Sequence, residues 1–429
     1  MKAIDLKQVV VYFDPKEALR GQHLRSWFVE RAGTPRARLR IALEAQREPQ
    51  KILFVGHRGT GKSTELNRLA EEIQGSFHTI GFDALTVTGR STMRYEDLML
   101  ALSTQITRHC IDQNLIGRPA TDPLREGWQS LADWWREKVA GFSLGKPGEV
   151  NTMASLSTLL GEIEVGVSQS AFTREQLNAF VDREMPELIR RLNWVIGEAE
   201  KHLNPKRLLL VVEGLDKVDL DAARHIFRDH APTILAPHAA MIYTFPLALR
   251  YSDDYQTVLS AFNDDKFLSN LSLRHVNSDD DPEGRRALRQ IVLSRMESNL
   301  VAEDALEQMV MASGGIAVQL VKLVNSAAIY ALERSAHATS IELADVRNAI
   351  KDLRRELAAN LTLTEWRLLK RRHIDRLLSN EAEIQQLLYK GALIEYSNDV
   401  QWCDVHPALW GLLDYYVEGD DGGPTTGDH

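Results

Sequence analysis

Short apolar runs alternate with amphipathic stretches through the first two thirds of the chain. Five runs are typical of buried parallel strands: residues 51–55, 77–82, 207–212, 240–244 and 267–273. Between them, apolar residues recur at helical spacing, as Leu66, Leu69 and Ile73 do after the first run. Strands alternating with helices predict an α/β fold with a doubly wound parallel sheet, in which ligands bind at the carboxyl ends of the strands.

A long segment of roughly residues 115–200 interrupts this alternation between the second and third strands. It contains Trp128, Trp134 and Trp135, and it ends in a stretch from Arg174 to His202 whose pattern predicts a long amphipathic helix. An aromatic cluster in an insertion is typical either of a small core of its own or of an exposed docking patch. We favour the small core.

The last third of the chain has a helical pattern. Asp281 and the proline after it are typical of a helix start. Further helices are predicted near residues 303–313, 316–335 and 340–357, the last one capped by Ser340. Residues 361–417 then show two helices and a hairpin that turns at Ser397, Asn398 and Asp399, which is the pattern of a winged helix.

These patterns together predict a P-loop type core followed by smaller helical units. The predicted divisions are an N-terminal lead-in over residues 1–45, a core over 46–280 with the insertion, a helical lid over 281–360, a winged helix over 361–417 and a disordered tail over 418–429.

Composition narrows the class of protein. The 429 residues are 44% hydrophobic and 26% charged, as in ordinary globular proteins, and no apolar run approaches the ~20 residues that span a bilayer. The N-terminus lacks the features of a signal peptide, so we expect a cytoplasmic protein without a membrane segment. Cys110 and Cys403, the two cysteines, fit neither a disulfide framework nor a zinc site. The net charge of -9 argues mildly against a protein that coats nucleic acid.

The strongest chemical signal is a glycine-rich turn in KILFVGHRGTGKSTELNRLA, residues 51–70. Gly56, Gly61, Lys62 and Ser63 match the pattern G-x-x-x-x-G-K-[ST] between a strand and a helix. Backbone N–H groups of such a loop, together with the helix N-terminus, bind phosphate oxygens. The predicted ligand is therefore ATP or ADP with Mg²⁺.

The members of this loop have different expected roles. Lys62 is expected to reach the β and γ phosphates, Ser63 to bind Mg²⁺, and Thr64 to donate to an α-phosphate oxygen. Gly59 and Thr60 complete the turn. His57 and Arg58 occupy its variable positions, where side chains usually face solvent, although Arg58 is also placed to contact a partner subunit.

A second strand, RLLLVVEGLDKVD at residues 207–219, ends in acids. Glu213 is expected to hold Mg²⁺ through water. The next position normally carries the acid that polarises the attacking water, and here it is Gly214. Asp216 is the nearest substitute. The sequence therefore predicts nucleotide binding with weak or absent ATP hydrolysis.

Three segments carry a resemblance to a known family: FVGHRGTGKSTELNRLA, LLLVVEGLDKVDLDAARHIF and AAMIYTFPLALRYS. Together they resemble bacterial AAA-type P-loop ATPases with a GHRGxGKSTEL loop and a DDLDK strand, near the STAND, KAP and origin-recognition branches of AAA+. The likeness runs from about residue 10 to 415.

The resemblance implies roles for individual residues. Glu213 stands where the family usually has Asp, and Asp216 matches the later Asp of DDLDK. Thr244 falls at the sensor-one position, where a polar side chain monitors the γ-phosphate. Two positions depart from the pattern, because Gly214 replaces the second acid and Val318 stands where members often carry an arginine.

Three functions are compatible with these observations. The first is a nucleotide-dependent conformational or assembly switch, in a homo-oligomer or hetero-complex, that acts on a separately encoded protein effector; the resemblance associates it with bacterial antiphage defence. The second is a DNA-binding ATPase of the origin-recognition type that uses the winged helix. The third is an active oligomeric ATPase completed by a neighbouring subunit, with Arg250 or Arg274 as a trans-acting finger.

The winged helix carries two further expectations. Its second helix holds Glu381 and Glu383, which suits protein docking better than contact with nucleic acid. His406, at the end of the hairpin, is either a core histidine or, by resemblance to STAND proteins, a residue that touches the β-phosphate of ADP.

Overall fold

The computed structural model describes residues 2–89, 91–113, 115, 171–277, 279–398 and 400–418. Most of the predicted insertion, with its three tryptophans, and the predicted tail at 419–429 lie outside the described residues, as does Asp399 of the hairpin turn.

A five-stranded parallel sheet forms the centre of the molecule. Its strands are β1 (Lys51–Gly56), β2 (Phe77–Asp83), β3 (Arg207–Glu213), β4 (Ala240–Pro246) and β5 (Asp264–Leu268), in the spatial order β2-β3-β4-β1-β5. Gly56, which ends β1, pairs with Pro246 on one side and with Leu268 on the other. The glycine-rich loop therefore leaves the sheet between the ends of two neighbouring strands, where open α/β sheets bind ligands.

Helices cover both faces of this sheet. The lead-in contains α1 (Leu6–Tyr12), α2 (Gly21–Trp27) and α3 (Arg36–Ala45), of which α3 packs on the sheet and α1 on the helical lid. In the core the helices are α4 (Lys62–Glu72), α5 (Ala84–Thr88), α6 (Tyr95–Asp112), α7 (Ala171–Leu203), α8 (Leu220–Arg224), α9 (Ala231–Ile234), α10 (Leu247–Arg250) and α11 (Tyr255–Ala261). Along β1, Ile52 and Phe54 pack with α3 and α4, whereas Leu53 and Val55 belong to the core on the side of α6 and α7. This alternation is the strand period of two.

The helical third and the winged helix follow. The helices are α12 (Pro282–Leu293), α13 (Glu303–Ala312), α14 (Ala317–Arg334), α15 (Leu343–Ala358), α16 (Leu363–Asp375) and α17 (Ala382–Lys390). A hairpin of β6 (Leu393–Ser397) and β7 (Gln401–Val405) and a last helix, α18 (Leu413–Glu418), complete the described chain. The predicted long helix before β3 and the helix start at Asp281, whose side chain accepts from the N–H groups of Glu283 and Gly284, are both confirmed.

Two local predictions are wrong. The fifth strand was expected at residues 267–273, but β5 spans Asp264–Leu268 because its charged half pairs with β1 at the edge of the sheet. The apolar residues beyond it, Leu271 and Leu273, pack into the lid instead. The last lid helix is capped by Glu342 in a capping box with Asp345, not by Ser340.

The lead-in connects the core to the lid. Ala3 bridges to Met296, and the backbone carbonyl of Val10 accepts a hydrogen bond of 2.7 Å from Asn325 in α14. Further along, Leu39 and Leu43 of α3 are buried against the sheet. The N-terminal segment therefore touches both units, and the domain boundaries given above stay predictions.

Two general expectations can be compared with the described residues. Cys110 and Cys403 are both buried free thiols. Within the described part of the chain, no helix combines the length and the hydrophobicity needed to cross a membrane.

Candidate nucleotide-binding site

The glycine-rich loop has the backbone conformation that its glycines predict. Gly59 and Gly61 have φ angles of 80° and 98°, in the left-handed region that glycine adopts without a steric penalty. Gly61 is also the N-cap of α4, so the partial positive charge of this 11-residue helix lies at the loop. The loop is built as an anion-binding turn.

Lys62 is buried among oxygen atoms. Its Nζ donates to the carbonyl oxygens of Gly56 and His57, each at 2.8 Å, and lies 2.7 Å from Oδ2 of Asp216. Burial lowers the pKa of Lys62, and the Asp216 carboxylate partly offsets this. Burial also acts to raise the pKa of Asp216, but the ammonium charge outweighs it and holds that pKa below its usual value. Asp216 is therefore the counterion of Lys62.

Ser63 and Glu213 form the neighbouring pair. Glu213 ends β3, is 6% exposed and lies close enough to the Ser63 hydroxyl for that group to act on its pKa. Burial raises the pKa of Glu213, the Ser63 hydroxyl opposes the shift, and Asp83 and Asp216 add to it. A hydroxyl and a carboxylate close together beside a buried lysine fit a magnesium–triphosphate complex, because Mg²⁺ takes oxygen ligands.

The three threonines proposed for the site are placed differently from one another. Thr244 is buried in β4 and its Oγ1 donates to the carbonyl of Val212 at 3.4 Å, next to Glu213. Thr60 is also buried, and its Oγ1 donates to the carbonyl of Ser269 at 3.2 Å. Thr64 lies half-buried in the first turn of α4. Thr60 thus holds the loop against the end of β5, which the motif alone did not indicate.

Sequence reasoning missed Asp83. This residue ends β2 and is in register with Glu213 on β3. Gly214 has a φ of 85°, and a Cβ added to it would overlap Oδ1 of Asp83 and lie 2.9 Å from its Cγ. The available signal was the acid after the second apolar run, but only the adjacency of β2 and β3 brings it to the site.

His57 and Arg58 both contact the winged helix. His57 is buried, contrary to the expectation that it faces solvent, whereas Arg58 is exposed as expected. His57 is 2% exposed, and its Nε2 lies 3.1 Å from the carbonyl oxygen of Leu393 in β6. The guanidinium of Arg58 lies over the ring of Tyr389 in α17, 4.1 Å from its centroid. The same side chain donates to the carbonyl of Lys217 at 2.9 Å.

The lid contacts the next loop residue. The backbone N–H of Val318 donates to the carbonyl of Gly59 at 2.9 Å. A Cβ on Gly59 would come within 3.0 Å of both Ile316 and Val318. Val318 therefore packs directly on the loop at the position where the resemblance expects an arginine. His57 and Arg58 thus contact the winged helix, and Gly59 contacts the lid.

The second winged-helix helix, α17, is docked on the core. Its Gln385 donates to the carbonyl of Tyr251 at 3.4 Å and accepts from Arg224 at 3.3 Å, while Ile384, Leu387 and Leu388 are buried. Just before it, Asn380 donates to Asp253 at 2.7 Å. In this arrangement the face of α17 that packs on the core is not available to a DNA groove.

Arg250 and Arg274 are engaged within the chain. Arg250 lies 3.8 Å from Asp265 and 3.9 Å from Glu395 of the winged helix, and stacks on Phe267. Arg274 stacks on Trp410, with 5.1 Å from its guanidinium to the ring centroid. Both arginines thus join the core to the C-terminal unit, and the proposal that either one is a trans-acting finger gains no support from this geometry.

His406 lies next to the loop. It is fully buried, its Nδ1 accepts from the N–H of Ala408 at 3.2 Å, and its Nε2 has no hydrogen-bond partner among the described residues. Burial, with a smaller contribution from the nearby His57, lowers its pKa to about 3. The Nδ1 contact places the ring proton on Nε2, so an unpaired N–H is buried beside a loop histidine.

A cavity of about 920 Å³ is separate from this loop. It lies between the lead-in, β5, α12 and the hairpin, and residues 56–64 are not among those that line it. The cavity is therefore distinct from the candidate phosphate-binding groups of the loop.

Comparisons with known proteins give little further information. No family model matches the chain, and no curated protein does. Among solved structures, Cdc6p from Pyrobaculum aerophilum is similar at 13% identity and a TM-score of 0.40, covering 95% of this chain and 97% of that one. The Orc1 protein of Aeropyrum pernix in complex with DNA gives 12% and 0.43, covering 92% and 94%. A RuvB variant from Thermotoga maritima gives 11% and 0.38, covering 90% and 95%.

TM-scores below 0.5 do not establish a shared function, so the roles of the residues depend on the chain itself. Its described residues form an α/β P-loop NTPase core, followed by a helical lid and a C-terminal winged helix.

Proposed function

We propose that this protein binds Mg²⁺ and ATP at residues 56–64 and acts as a nucleotide-dependent switch with slow hydrolysis. Lys62 would hold the β and γ phosphates, and Ser63 with Glu213 would hold Mg²⁺. Thr244, by the resemblance, would monitor the γ-phosphate. On binding, Lys62 would leave its present oxygen partners and contact the negatively charged phosphates instead.

The observation that carries this proposal is the hydrogen bond from His57 to Leu393, 336 residues away along the chain. A phosphate loop whose own side chains bind the winged helix cannot rearrange around a ligand without changing that contact. Nucleotide would then shift the equilibrium between docked and undocked winged helix. The size of that shift is set by the ratio of the nucleotide's affinities for the two forms.

The receiver of this movement would be a partner protein. An exposed winged helix that changes position offers a different surface to a separately encoded effector or to a second copy of the chain. We place the protein, by its resemblance, in the AAA+ superfamily near the STAND, KAP and origin-recognition branches. The association with antiphage defence derives from that resemblance, and the described residues add no support to it.

The experiment that tests this function compares nucleotide binding with turnover. Calorimetry with Mg·ATP and Mg·ADP is expected to show tight binding to the purified protein, while phosphate release stays slow. The molar mass of the protein in solution, measured with and without Mg·ATP, then shows whether nucleotide changes its oligomeric state. Rapid phosphate release, or no binding of either nucleotide, would contradict the proposal.

The DNA-binding alternative makes a different prediction. An ATPase of the origin-recognition type would be stimulated by duplex DNA, and binding would weaken steeply with salt because lysine and arginine contacts release counterions. Docking of α17 on the core argues against direct groove contact in this arrangement. DNA-stimulated turnover with a steep salt slope would favour the alternative over the switch.

A further inference from the structure

The carboxylate of Asp83 fills the space beside Gly214, where the sequence provides no acid. We propose that Asp83 supplies the carboxylate that orients and deprotonates the attacking water when this protein hydrolyses ATP. This inference rests on the proposed function and adds a catalytic residue to it.

Strand geometry brings Asp83 to the edge of the sheet that carries the loop. It is the last residue of β2 and is paired in register with Glu213, on a strand about 4.8 Å away. Glu213 in turn lies near Ser63 of the loop, whose hydroxyl opposes the rise in its pKa. Burial raises the pKa of Glu213, and the negative charge of Asp83 adds a smaller contribution in the same direction. The two carboxylates therefore stand side by side at the phosphate-binding end.

Gly214 and Asp83 depend on each other sterically. With a φ of 85° and no Cβ, Gly214 leaves room for the Asp83 carboxyl group, which any side chain at position 214 would overlap. The space that an acid after Glu213 would use is therefore taken by an acid from the neighbouring strand.

Asp83 is held in place and remains reachable by water. Its Oδ1 accepts from the N–H of Thr86 at 3.0 Å, its Oδ2 lies 3.2 Å from Nζ of Lys217, and its side chain is 30% exposed. The carbonyl of Lys217 accepts from Arg58, which contacts the winged helix. The position of Asp83 is thus linked to the docking of that helix.

The reaction is a hydrolysis in which one water molecule is consumed. The water oxygen forms a bond to the γ-phosphorus, and the bond from that phosphorus to the bridging oxygen of ADP breaks. The proton lost by the water passes to a carboxylate oxygen of Asp83 and then to solvent, leaving ADP and inorganic phosphate. Both carboxylate oxygens already accept from Thr86 and Lys217, so the attacking water would compete with these donors for the same oxygens.

The test is the variant Asp83→Asn. Asparagine is as good an N-cap as aspartate, so α5 keeps its cap while the charge and the basicity are lost. The single-turnover rate of ATP hydrolysis is expected to fall at least about tenfold, since positioned bases typically contribute a hundredfold or more. Asp281→Asn makes the same change at the cap of α12, away from the loop, and its rate is expected to stay within about twofold of wild type.

A binding measurement separates a catalytic role from a structural one. Without Mg²⁺, loss of a negative charge beside the γ-phosphate is expected to strengthen ATP binding about threefold or more relative to ADP binding. A capping role would leave that ratio unchanged. Three results would each overturn the role of Asp83. They are an unchanged hydrolysis rate in Asp83→Asn, a reduced rate in that variant with an unchanged ratio of ATP to ADP affinity, and a wild-type rate no faster than hydrolysis in buffer alone. The last result would leave the switch intact, whereas failure of the wild type to bind ATP would instead refute the proposed function.

Discussion

His57 of the phosphate loop lies 3.1 Å, through Nε2, from the backbone carbonyl oxygen of Leu393 in the winged helix. The acceptor is a main-chain atom, so Nε2 must carry the ring proton to donate. Burial lowers the pKa of His57 to about 4, with Lys62 and Arg58 acting in the same direction, which keeps the ring neutral near pH 7. The glycine-rich loop and the C-terminal unit are therefore joined by a neutral hydrogen bond in a buried setting, in addition to the contact of Arg58 with Tyr389.

Replacing His57 by Leu tests this joint. Leucine keeps an apolar bulk but donates nothing, so the carbonyl of Leu393 loses a partner at a cost of about 1–3 kcal/mol. Hydrogen exchange in β6 and β7 is expected to speed up by roughly tenfold or more, since 1.4 kcal/mol corresponds to a factor of ten. His337→Leu, at an exposed lid residue, is the control. Equal exchange in the two variants would mean that the bond does not hold the winged helix.

Removal of Lys62 is expected to have two separable effects. In Lys62→Met, Asp216 is left buried without its partner, which is expected to destabilise the protein by about 3–5 kcal/mol. In the double variant Lys62→Met with Asp216→Leu no charge is left unpaired, and much of the lost stability is expected to return.

Neither of these variants is expected to bind Mg·ATP tightly, because both lack the ammonium that contacts phosphate. Thermal unfolding and calorimetry on the same samples measure the two effects. Wild-type ATP affinity in the double variant would show that Lys62 is not the phosphate-binding lysine.

Gly214→Ala tests the steric relationship with Asp83. Gly391→Ala is a matched control, because Gly391 also has a positive φ, 71°, but no atom within 4 Å of the added Cβ. Placing alanine at a positive φ costs about 1–2 kcal/mol in both variants. Only Gly214→Ala adds the overlap with the Asp83 carboxylate. The melting temperature is therefore expected to fall further for Gly214→Ala.

Asp83→Ala in the Gly214→Ala background is expected to recover that additional loss, as a coupled pair should in a double-mutant cycle. Equal losses in the two glycine variants would show that Asp83 moves away freely. That outcome would also weaken the assignment of Asp83 to the water-activating position. Because of the same contact, Gly214→Glu would displace Asp83 and cannot be used to test whether an acid is missing at position 214.

The docked winged helix is expected to respond to pH. The pKa of His57 is about 4 and that of His406 about 3, both lowered by burial from an unfolded value near 6.5. Groups with a depressed pKa contribute stability that is present above pH 6.5 and is lost progressively as pH falls towards these values. At pH 5 the expected loss is about 2 kcal/mol for each histidine.

Glu395 acts in the opposite direction over nearly the same range. Burial raises its pKa to about 7, while Tyr251 and Arg250 partly oppose the shift, so its contribution to stability falls as pH rises towards 7. The variant Glu395→Gln removes this opposing group. In that background, hydrogen exchange of β6, corrected for its intrinsic pH dependence, is expected to be faster at pH 5 than at pH 7. Exchange that does not change with pH would contradict the buried, neutral state of the two histidines.

The parts of the site that sequence could predict are local ones. Gly56 to Ser63 form one contiguous motif, and Glu213 ends a run of apolar residues, so both were visible without any tertiary information. The strand positions followed from continuous apolar runs, except at β5, where the charged residues Asp264 and Asp265 hide an edge strand.

The parts that sequence could not predict depend on long-range contacts. Asp83 becomes relevant only because β2 lies beside β3. The partner of His57 is a carbonyl oxygen, which any residue at position 393 would provide, so no side-chain pattern indicates it. The pairing of Lys62 with Asp216 depends on the turn after β3, whose geometry is set by Gly214.

The most direct test of the coupling between nucleotide and winged helix is a distance measurement across that interface. Spin labels can be introduced at Ile41→Cys in α3 and Ile374→Cys in α16, which are 61% and 76% exposed, while both native cysteines are buried. Saturating Mg·ATP is expected to change the distance distribution between these labels, and the change is expected to be smaller in His57→Leu. Identical distributions with and without Mg·ATP, in a sample shown to bind it, would contradict the switch.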